Sequence, residues 1–316
     1  MSTTSTNPVA TESIEHTALP LQPTAGETVP HRALALLAQH RLVTSPQLRQ
    51  MLAPDKTRQW TWKVLSELRD DELITSTRLP GSTRLKAWFL TARGVRVTAG
   101  WPELRGNTAQ APESAMDASL RAAHTLASVR THLAFLADAR VRGDEYGPLD
   151  WVPEVSHRLP DTGGEDRLIA DAVMHYTASS PRRLQYRAFV EVDRATMSSE
   201  RLARKLISYA RFHDYVPQQP GRRGTVADQA AMLAWHRFYP RFPRLLFVLT
   251  NASSLTLSHR IEDLRAMTAG HQLVARLAKN VPLGAAVLED LEEHGASAPV
   301  WTPLSGPGDR CSWTEL

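Results

Sequence analysis

Apolar residues recur at helical and strand spacings in two separate parts of the chain. In the first part, a helical period followed by alternation predicts three helices and then a β-hairpin. The predicted ranges are 31–41, 45–52 and 55–74 for the helices and 74–79 and 86–91 for the strands. Ser45 is the predicted N-cap of the second helix, because Pro46 follows it at the first helical position. In the third helix, Val64, Leu65 and Leu68 form the stripe predicted to face the core.

The second part begins with a long helical pattern and continues with runs of β-branched and aromatic residues. The predicted order is helix, three strands, helix, strand and helix, over residues 119–143, 149–159, 167–176, 186–194, 199–215, 244–251 and 258–268.

Composition divides the chain into domains at the same places. Residues 100–118 are rich in Gly, Pro, Asn and Ser, which predicts a linker, and residues 1–30 have the composition of a disordered tail. We therefore expect a mixed chain of α+β and α/β class. Its predicted domains are 31–99 and 119–305, with a C-terminal tail at 306–316.

The net charge of +4 is concentrated in the first domain. Residues 31–100 contain twelve Lys and Arg against five Asp and Glu, whereas residues 1–30 carry three Glu and no basic side chain. Residues 101–316 are balanced. A basic charge confined to one module is typical of nucleic-acid binding.

Other classes of protein are disfavoured by the same composition. The single Cys311 supports neither a disulfide framework nor a cysteine-based zinc site. The sequence has no signal-peptide pattern and no apolar run long enough to span a membrane. We expect a cytoplasmic protein with no membrane partner and no small-molecule cofactor.

The order of elements in the first domain resembles a winged helix-turn-helix. The ending LTARG, at residues 90–94, resembles the LTxxG that closes the wing in many such domains. In that fold the third helix enters the major groove of duplex DNA and the wing contacts phosphates. The resemblance implies DNA contacts from Lys56, Arg58, Gln59 and Lys63 on the helix and from Arg78, Arg84 and Lys86 on the wing.

Two alternatives remain open for this domain. Winged helices also serve as protein–protein modules, in which case these basic residues form a solvated face. Of Trp60 and Trp62, one is expected to pack in the core. A base-stacking role is the less favoured interpretation of either.

The stretch YRAFVEVDRAT, at residues 186–196, combines a buried strand pattern with two carboxylates. Glu191 and Asp193 are two residues apart, so on a strand they project from the same face. Placing like charges there is unfavourable unless a cation neutralises them. The stretch therefore raises the question of which cation offsets these charges.

The element order α-β-β-β-α-β over residues 119–251 resembles the restriction-endonuclease-like, or PD-(D/E)XK, nucleases. Asp171 in LIADAV takes the place of the motif's Asp, with Ala170 where the motif has Pro, and Glu191 takes the place of its Glu. The resemblance implies that Asp171 and Glu191 hold Mg²⁺ or Mn²⁺. Asp193 stands where the motif has its catalytic Lys, which leaves the activity of this site open.

A replacement for that Lys is predicted on the following helix. Stepping at the helical period places Lys205 on one face with Leu202, Leu206, Tyr209 and Phe212. KLISY also resembles the QxxxY element of RecB-type nucleases, with Lys for Gln, which implies roles for Lys205 and Tyr209. The alternative is that Lys205 pairs with a carboxylate for structural reasons.

Two further residues are weaker candidates for the same site. His124 lies on the long helix, where RecB-like relatives carry a His that approaches the metal. Glu154 in WVPEV is a candidate for a further carboxylate. For each, a structural role is the favoured alternative.

Taken together, the winged helix and the motifs WVPE, IADAV, FVEVDR and RKLxxYxRF resemble the replication-relaxation family of actinobacterial plasmids and integrated elements. The resemblance implies a protein of replication, relaxation or transfer that acts on double-stranded DNA, as a Mg²⁺-dependent nuclease or nickase. The alternative is a non-catalytic DNA-binding regulator whose second domain clamps DNA or forms a homodimer.

Overall fold

The computed structural model describes residues 28–79, 85–107, 109–112, 115–159, 167–196, 198–217, 233–306 and 308–316, with only the backbone of residues 115–120. Residues 1–27 of the predicted tail and Arg84, a predicted wing contact, lie outside these ranges. The tail predicted at 1–30 is wrong at its end, because Thr28 caps α1 and Val29 and Pro30 form its first turn. The described part of the chain is a mixed α/β structure with two sheets, one of three strands and one of six.

Three helices and a small antiparallel sheet form the N-terminal module. The elements are α1 (Val29–His40), β1 (Val43–Thr44), α2 (Ser45–Leu52), α3 (Arg58–Asp70), β2 (Ile74–Arg78), β3 (Lys86–Leu90) and α4 (Ala92–Thr98). The sheet has the order β1-β3-β2, and β2 and β3 pair from Ile74–Leu90 to Arg78–Lys86. The predicted stripe of Val64, Leu65 and Leu68 is buried in this module.

The prediction of Ser45 as N-cap is wrong by one residue. The Thr44 side chain accepts a hydrogen bond from the Gln47 backbone N–H (3.4 Å), and the Gln47 side chain accepts one from the Thr44 N–H (3.0 Å). This reciprocal capping box makes Thr44 the cap. Ser45 instead accepts a hydrogen bond from the indole N–H of Trp88 on β3 (2.9 Å).

The LTARG segment is shaped by a close approach between α4 and the chain before β2. The Thr91 hydroxyl caps α4 by accepting from the Gly94 N–H (3.1 Å) and donates to the Glu72 carbonyl (2.7 Å). A Cβ at position 94 would fall on the carbonyl oxygen of Leu73. The glycine is therefore required by packing.

The C-terminal module is built on the six-stranded sheet. A long helix, α5 (Ala115–Arg142), leads into β4 (Trp151–Arg158), β5 (Arg167–Ala178), β6 (Leu184–Asp193), α6 (Ser199–Asp214) and β7 (Arg244–Leu249). The remaining elements are α7 (Ser254–Gly270), α8 (Gln272–Leu277), β8 (Leu283–Val287), α9 (Leu288–His294) and β9 (Thr302–Pro303). The strand order is β4-β5-β6-β7-β8-β9, with parallel pairing only at β6–β7 and β7–β8 among the described strands.

Apolar residues cover both faces of this sheet. α5 packs on one face, where Val190 and Val192 of β6 are buried with Phe135. α6, α7 and α8 cover the other face, where Phe189 is buried with Leu206. Successive residues of β6 thus point to opposite layers, as strand geometry requires.

The segment predicted as a linker is packed against both modules. Trp101 stacks on His31 at a ring-centroid distance of 3.9 Å, and Leu104 is buried. Arg105 donates to the Asp150 carboxylate (2.7 Å), and α5 already begins at Ala115. The two modules share one continuous core.

Candidate functional site

The strand pairing around Asp171 is interrupted on both sides. β4 and β5 pair at Val155–Ala170 and at Pro153–Ala172, but Glu154 and Asp171, which lie between these pairs, are not paired with each other in the described strands. The pairing of β5 with β6 starts only at Ala172–Val190, and Glu154 adopts a left-handed backbone conformation with φ of 52°. The sheet is therefore distorted where the first predicted carboxylate lies.

Helices from opposite faces of the sheet reach Asp171 through this interruption. Its Oδ2 accepts a hydrogen bond from the Val192 N–H of β6 (2.8 Å). Its Oδ1 lies 3.4 Å from Nε2 of His124 on α5 and 3.5 Å from Nζ of Lys205 on α6. A single carboxylate thus connects one strand and two helices.

Glu191 lies beside this group and is almost fully buried, at 3% exposure. Its Oε2 is 2.6 Å from Nζ of Lys205, and its Oε1 accepts a hydrogen bond from the Tyr209 hydroxyl. Lys205 and Tyr209 are one helical turn apart on α6, so one helix face supplies both donors. Every carboxylate oxygen of Asp171 and Glu191 has a partner within the protein.

The pKa values of Asp171 and Glu191 are shifted in opposite directions. Burial, together with the neighbouring charge of Asp171, raises the pKa of Glu191 to about 8. Burial also opposes ionisation of Asp171, but the hydrogen bond from His124 and the charge of Lys205 outweigh it and lower the pKa of Asp171. The cluster therefore shifts the pKa values of two neighbouring carboxyl groups apart, that of Asp171 downward and that of Glu191 upward.

The three donors respond to these carboxylates. The hydrogen bond to Asp171 raises the pKa of His124. Burial disfavours the charge of Lys205, but attraction from Glu191 and Asp171 raises the Lys205 pKa all the same. Burial and Glu191 raise the pKa of Tyr209 well above its usual value, so its hydroxyl stays protonated and donates.

Asp193 and Glu154 are placed with other partners. The Asp193 carboxylate is buried and accepts from Nε (2.7 Å) and Nη2 (2.5 Å) of Arg260 on α7, while the Ala195 N–H donates to its other oxygen (3.0 Å). Glu154 forms an ion pair with Arg41, which follows α1. The structure thus brings His124, Lys205 and Tyr209 to the predicted carboxylate pair.

Arg260 was not predicted from the sequence, although a signal exists. Leu257, Arg260, Ile261 and Leu264 follow the helical period along the buried side of α7. A cation inside an apolar stripe is the same signal that singles out Lys205 on α6.

The donor set at Asp171 and Glu191 is compatible with a hard divalent cation. Mg²⁺ is commonly held by one or two carboxylates with water completing its shell. Oδ1 of Asp171 and Oε2 of Glu191 both contact one positive group, the ammonium of Lys205. Within the described residues, however, no group of three or more His, Cys, Asp or Glu side chains is arranged to hold a metal. A metal here would rest on these two carboxylates and would compete with Lys205.

The predicted DNA contacts lie on the surface of the N-terminal module. Among the seven candidates, six are described, and all six are exposed: Lys56, Arg58, Gln59, Lys63, Arg78 and Lys86. Trp60 packs partly against the core, as one of the two tryptophans was expected to do. Trp62 is 65% exposed.

No described helix combines the length and apolarity needed to cross a bilayer. Searches of curated proteins and of solved structures return no match. A family model described as replication-relaxation matches residues 34–226, a region that holds most of the N-terminal module and the carboxylate cluster. Because this match covers more than half of the chain, the chain belongs to the replication-relaxation family.

Proposed function

We propose that this member of the family binds double-stranded DNA through its N-terminal module, used as a winged helix-turn-helix. Three helices followed by an antiparallel hairpin support this assignment. The observation that carries it is the set of exposed basic side chains on α3 and on the strands of the hairpin, in a segment, residues 31–100, that has twelve Lys and Arg against five Asp and Glu. Exposed Lys and Arg that neutralise phosphates release counterions, which makes binding salt-dependent.

The test uses the full chain, because the two modules share a core. DNA affinity should fall steeply with salt concentration. Arg58→Ala and Lys63→Ala should each weaken binding. Each should also reduce the magnitude of the slope of log affinity against log salt by about one, the value for one lost phosphate contact. Arg276→Ala, which removes an exposed arginine on α8, is the matched control and should leave both quantities unchanged. DNA binding that does not depend on salt, or an equal loss of DNA affinity in all three variants, would contradict DNA binding by the N-terminal module.

For the C-terminal module we propose a restriction-endonuclease-like fold with a Mg²⁺- or Mn²⁺-dependent phosphodiesterase site. The element order and the carboxylates at the β5–β6 interruption support it. Asp171 and Glu191 would hold the ion, whose chemistry when bound is to activate water and neutralise charge on the phosphate. Lys205 would stabilise the developing charge, Tyr209 would fix the orientation of Glu191, and His124 would hold Asp171.

A non-catalytic role is the second candidate, and a specific observation favours it. The carboxylates are fully paired without a metal, and Asp193, at the position of the motif's Lys, is engaged by Arg260. A cluster whose carboxylates are all paired can serve only to stabilise the fold. The C-terminal module would then clamp DNA or pair with a second copy of the chain.

Nicking of supercoiled plasmid separates these two candidates. An active site predicts nicking that requires Mg²⁺ or Mn²⁺ and is lost in Glu191→Gln. Lys205→Ala should reduce the rate by roughly 10²–10³ at matched DNA occupancy, as for removal of one preorganised charged group. Absence of metal-dependent nicking by the wild type, with DNA binding intact, would establish the non-catalytic role.

A further inference from the structure

A groove of about 560 Å³ lies on the N-terminal module between α2, α3 and β3. Its volume is within the range of roughly 300–1,000 Å³ that small-ligand sites occupy. Four basic residues line it, Arg49, Arg58, Arg69 and Lys86, and none of its described lining residues is acidic. The charge of the groove therefore favours an anionic occupant.

The indole ring of Trp62 lines the groove, and most of its surface is exposed. Arg58, Trp62 and Arg69 are spaced at four and then seven residues, so they share a face of α3. The Trp62 indole is 65% exposed, whereas Trp60 packs against the core. An exposed indole on one helix face with two arginines, of which Arg69 also pairs with Asp70 (2.8 Å), is a combination that stacks bases and holds phosphates in single-stranded nucleic acids.

The inner side of the groove carries a polar group without a protein partner. Thr61 lines the groove, is only 2% exposed, and its Oγ1 has no hydrogen-bond partner among the described residues. Buried hydroxyls are normally paired. The floor of the groove therefore contains a hydroxyl whose hydrogen-bonding capacity is not used by the described protein groups.

We propose that this groove binds an unpaired nucleotide of the DNA, with the base stacked on Trp62 and its phosphates near Arg58, Arg69 and Lys86. Bases within a duplex are stacked on each other, so their faces are inaccessible to the indole until the nucleotide leaves the stack. The inference rests on the proposed DNA binding and adds to it a preference for distorted or partly single-stranded DNA.

The test compares two probes on the full-length protein: a short duplex, and the same duplex carrying one unpaired fluorescent adenine analogue. The wild type should bind the second probe more tightly and quench its fluorescence by stacking. Trp62→Ala should lower affinity for the unpaired-base probe by about tenfold to hundredfold, the usual contribution of one stacked base. It should leave duplex affinity, salt slope and melting temperature near those of the wild type.

Lys63→Ala is the matched control on the same helix, since it removes a charge and should weaken both probes with a reduced salt slope. Equal losses of both probes in Trp62→Ala would make Trp62 an ordinary duplex contact and overturn the proposal. An unchanged affinity for both would also overturn it and leave the indole for a protein partner. If the wild type binds neither probe, the proposed DNA binding itself fails, which is a separate outcome.

Discussion

Glu191 and Asp193 project from the same buried face of β6, yet each has its own basic partner. Glu191 contacts Lys205 of α6, and Asp193 contacts Arg260 of α7. Burying a charge without a partner is far more costly than burying a pair. Each of two adjacent helices therefore supplies one cation, and these cations offset the repulsion expected between carboxylates two residues apart.

Glu191 makes the stability of the metal-free protein depend on pH. Its pKa is about 8 in the folded protein, above the usual 4.5, so between these values the folded state holds a proton that the unfolded state has lost. Stability must then fall as pH rises through this window and level off above it. His124, whose pKa is also raised, contributes in the same direction.

We expect Glu191→Gln to remove most of this dependence. The free energy of unfolding of the variant minus that of the wild type should be about 1–2 kcal/mol larger at roughly pH 8 than at roughly pH 6. The reason is that one pKa unit corresponds to about 1.4 kcal/mol. Urea unfolding without divalent metal at the two pH values measures this difference.

Glu262→Gln, at an exposed position of α7, is the control and should run parallel to the wild type. A Glu191→Gln variant that also runs parallel to the wild type would show that Glu191 is ionised across the whole range.

The helical period and the resemblance to the QxxxY element predicted Lys205 and Tyr209 at the carboxylates, whereas His124 was a candidate only through the resemblance to RecB-like nucleases. Lys205 interrupts an apolar stripe, and Tyr209 follows it by one turn, so α6 had to place both on the sheet. Glu154 has no such constraint, and its partner Arg41 is distant in sequence. Pairing between remote segments is the part that local patterns do not encode.

Among the elements, helices and strands with a strong period were predicted well and their ends less well. α3 spans Arg58–Asp70 rather than 55–74, because Thr57 caps its start by accepting from the Trp60 N–H (3.2 Å). β8, Leu283–Val287, was not predicted. Its sequence LGAAV is short and rich in Gly and Ala, so it carries little strand signal. Only its place beside β7 makes it a strand.

One element contact joins α1 to β4 in a way that a substitution can test. Gln39 is 1% exposed, and its side-chain amide donates to the Trp151 carbonyl (2.7 Å). Gln39→Leu would leave that buried carbonyl without its donor, at a cost of about 1–3 kcal/mol in free energy of unfolding. Gln50→Leu, at an exposed position of α2, is the matched control and should change stability by less than about 0.5 kcal/mol.

Urea unfolding of the two leucine variants measures both values. Equal stabilities for the two would mean that the hydrogen bond between α1 and β4 contributes nothing to the packing of the modules.

At the scale of the whole molecule, α5 unites the two modules. Near its N-terminal end, Ala122 and Leu126 pack with Phe89 of the hairpin, and the Leu126 carbonyl accepts from Gln47 of α2 (3.3 Å). Near its C-terminal end, Arg140 donates to the carbonyls of Gln50 (2.6 Å) and Met51 (2.8 Å). Because His124 lies on the same helix, the proposed DNA-binding module and the carboxylate cluster are held at a fixed separation.

This shared core predicts that the chain unfolds as one cooperative unit. Leu34 and Leu37 of α1 belong to the same buried cluster as Phe135 and Trp151 of the C-terminal module, so removing either module would expose apolar residues of the other. Thermal unfolding of the full chain should therefore show one transition, with the same midpoint by far-UV circular dichroism and by tryptophan fluorescence. A fragment limited to residues 31–100 should melt well below the full chain or aggregate. Two separated transitions, or a fragment as stable as the whole, would instead show independent domains joined by the segment at 100–118.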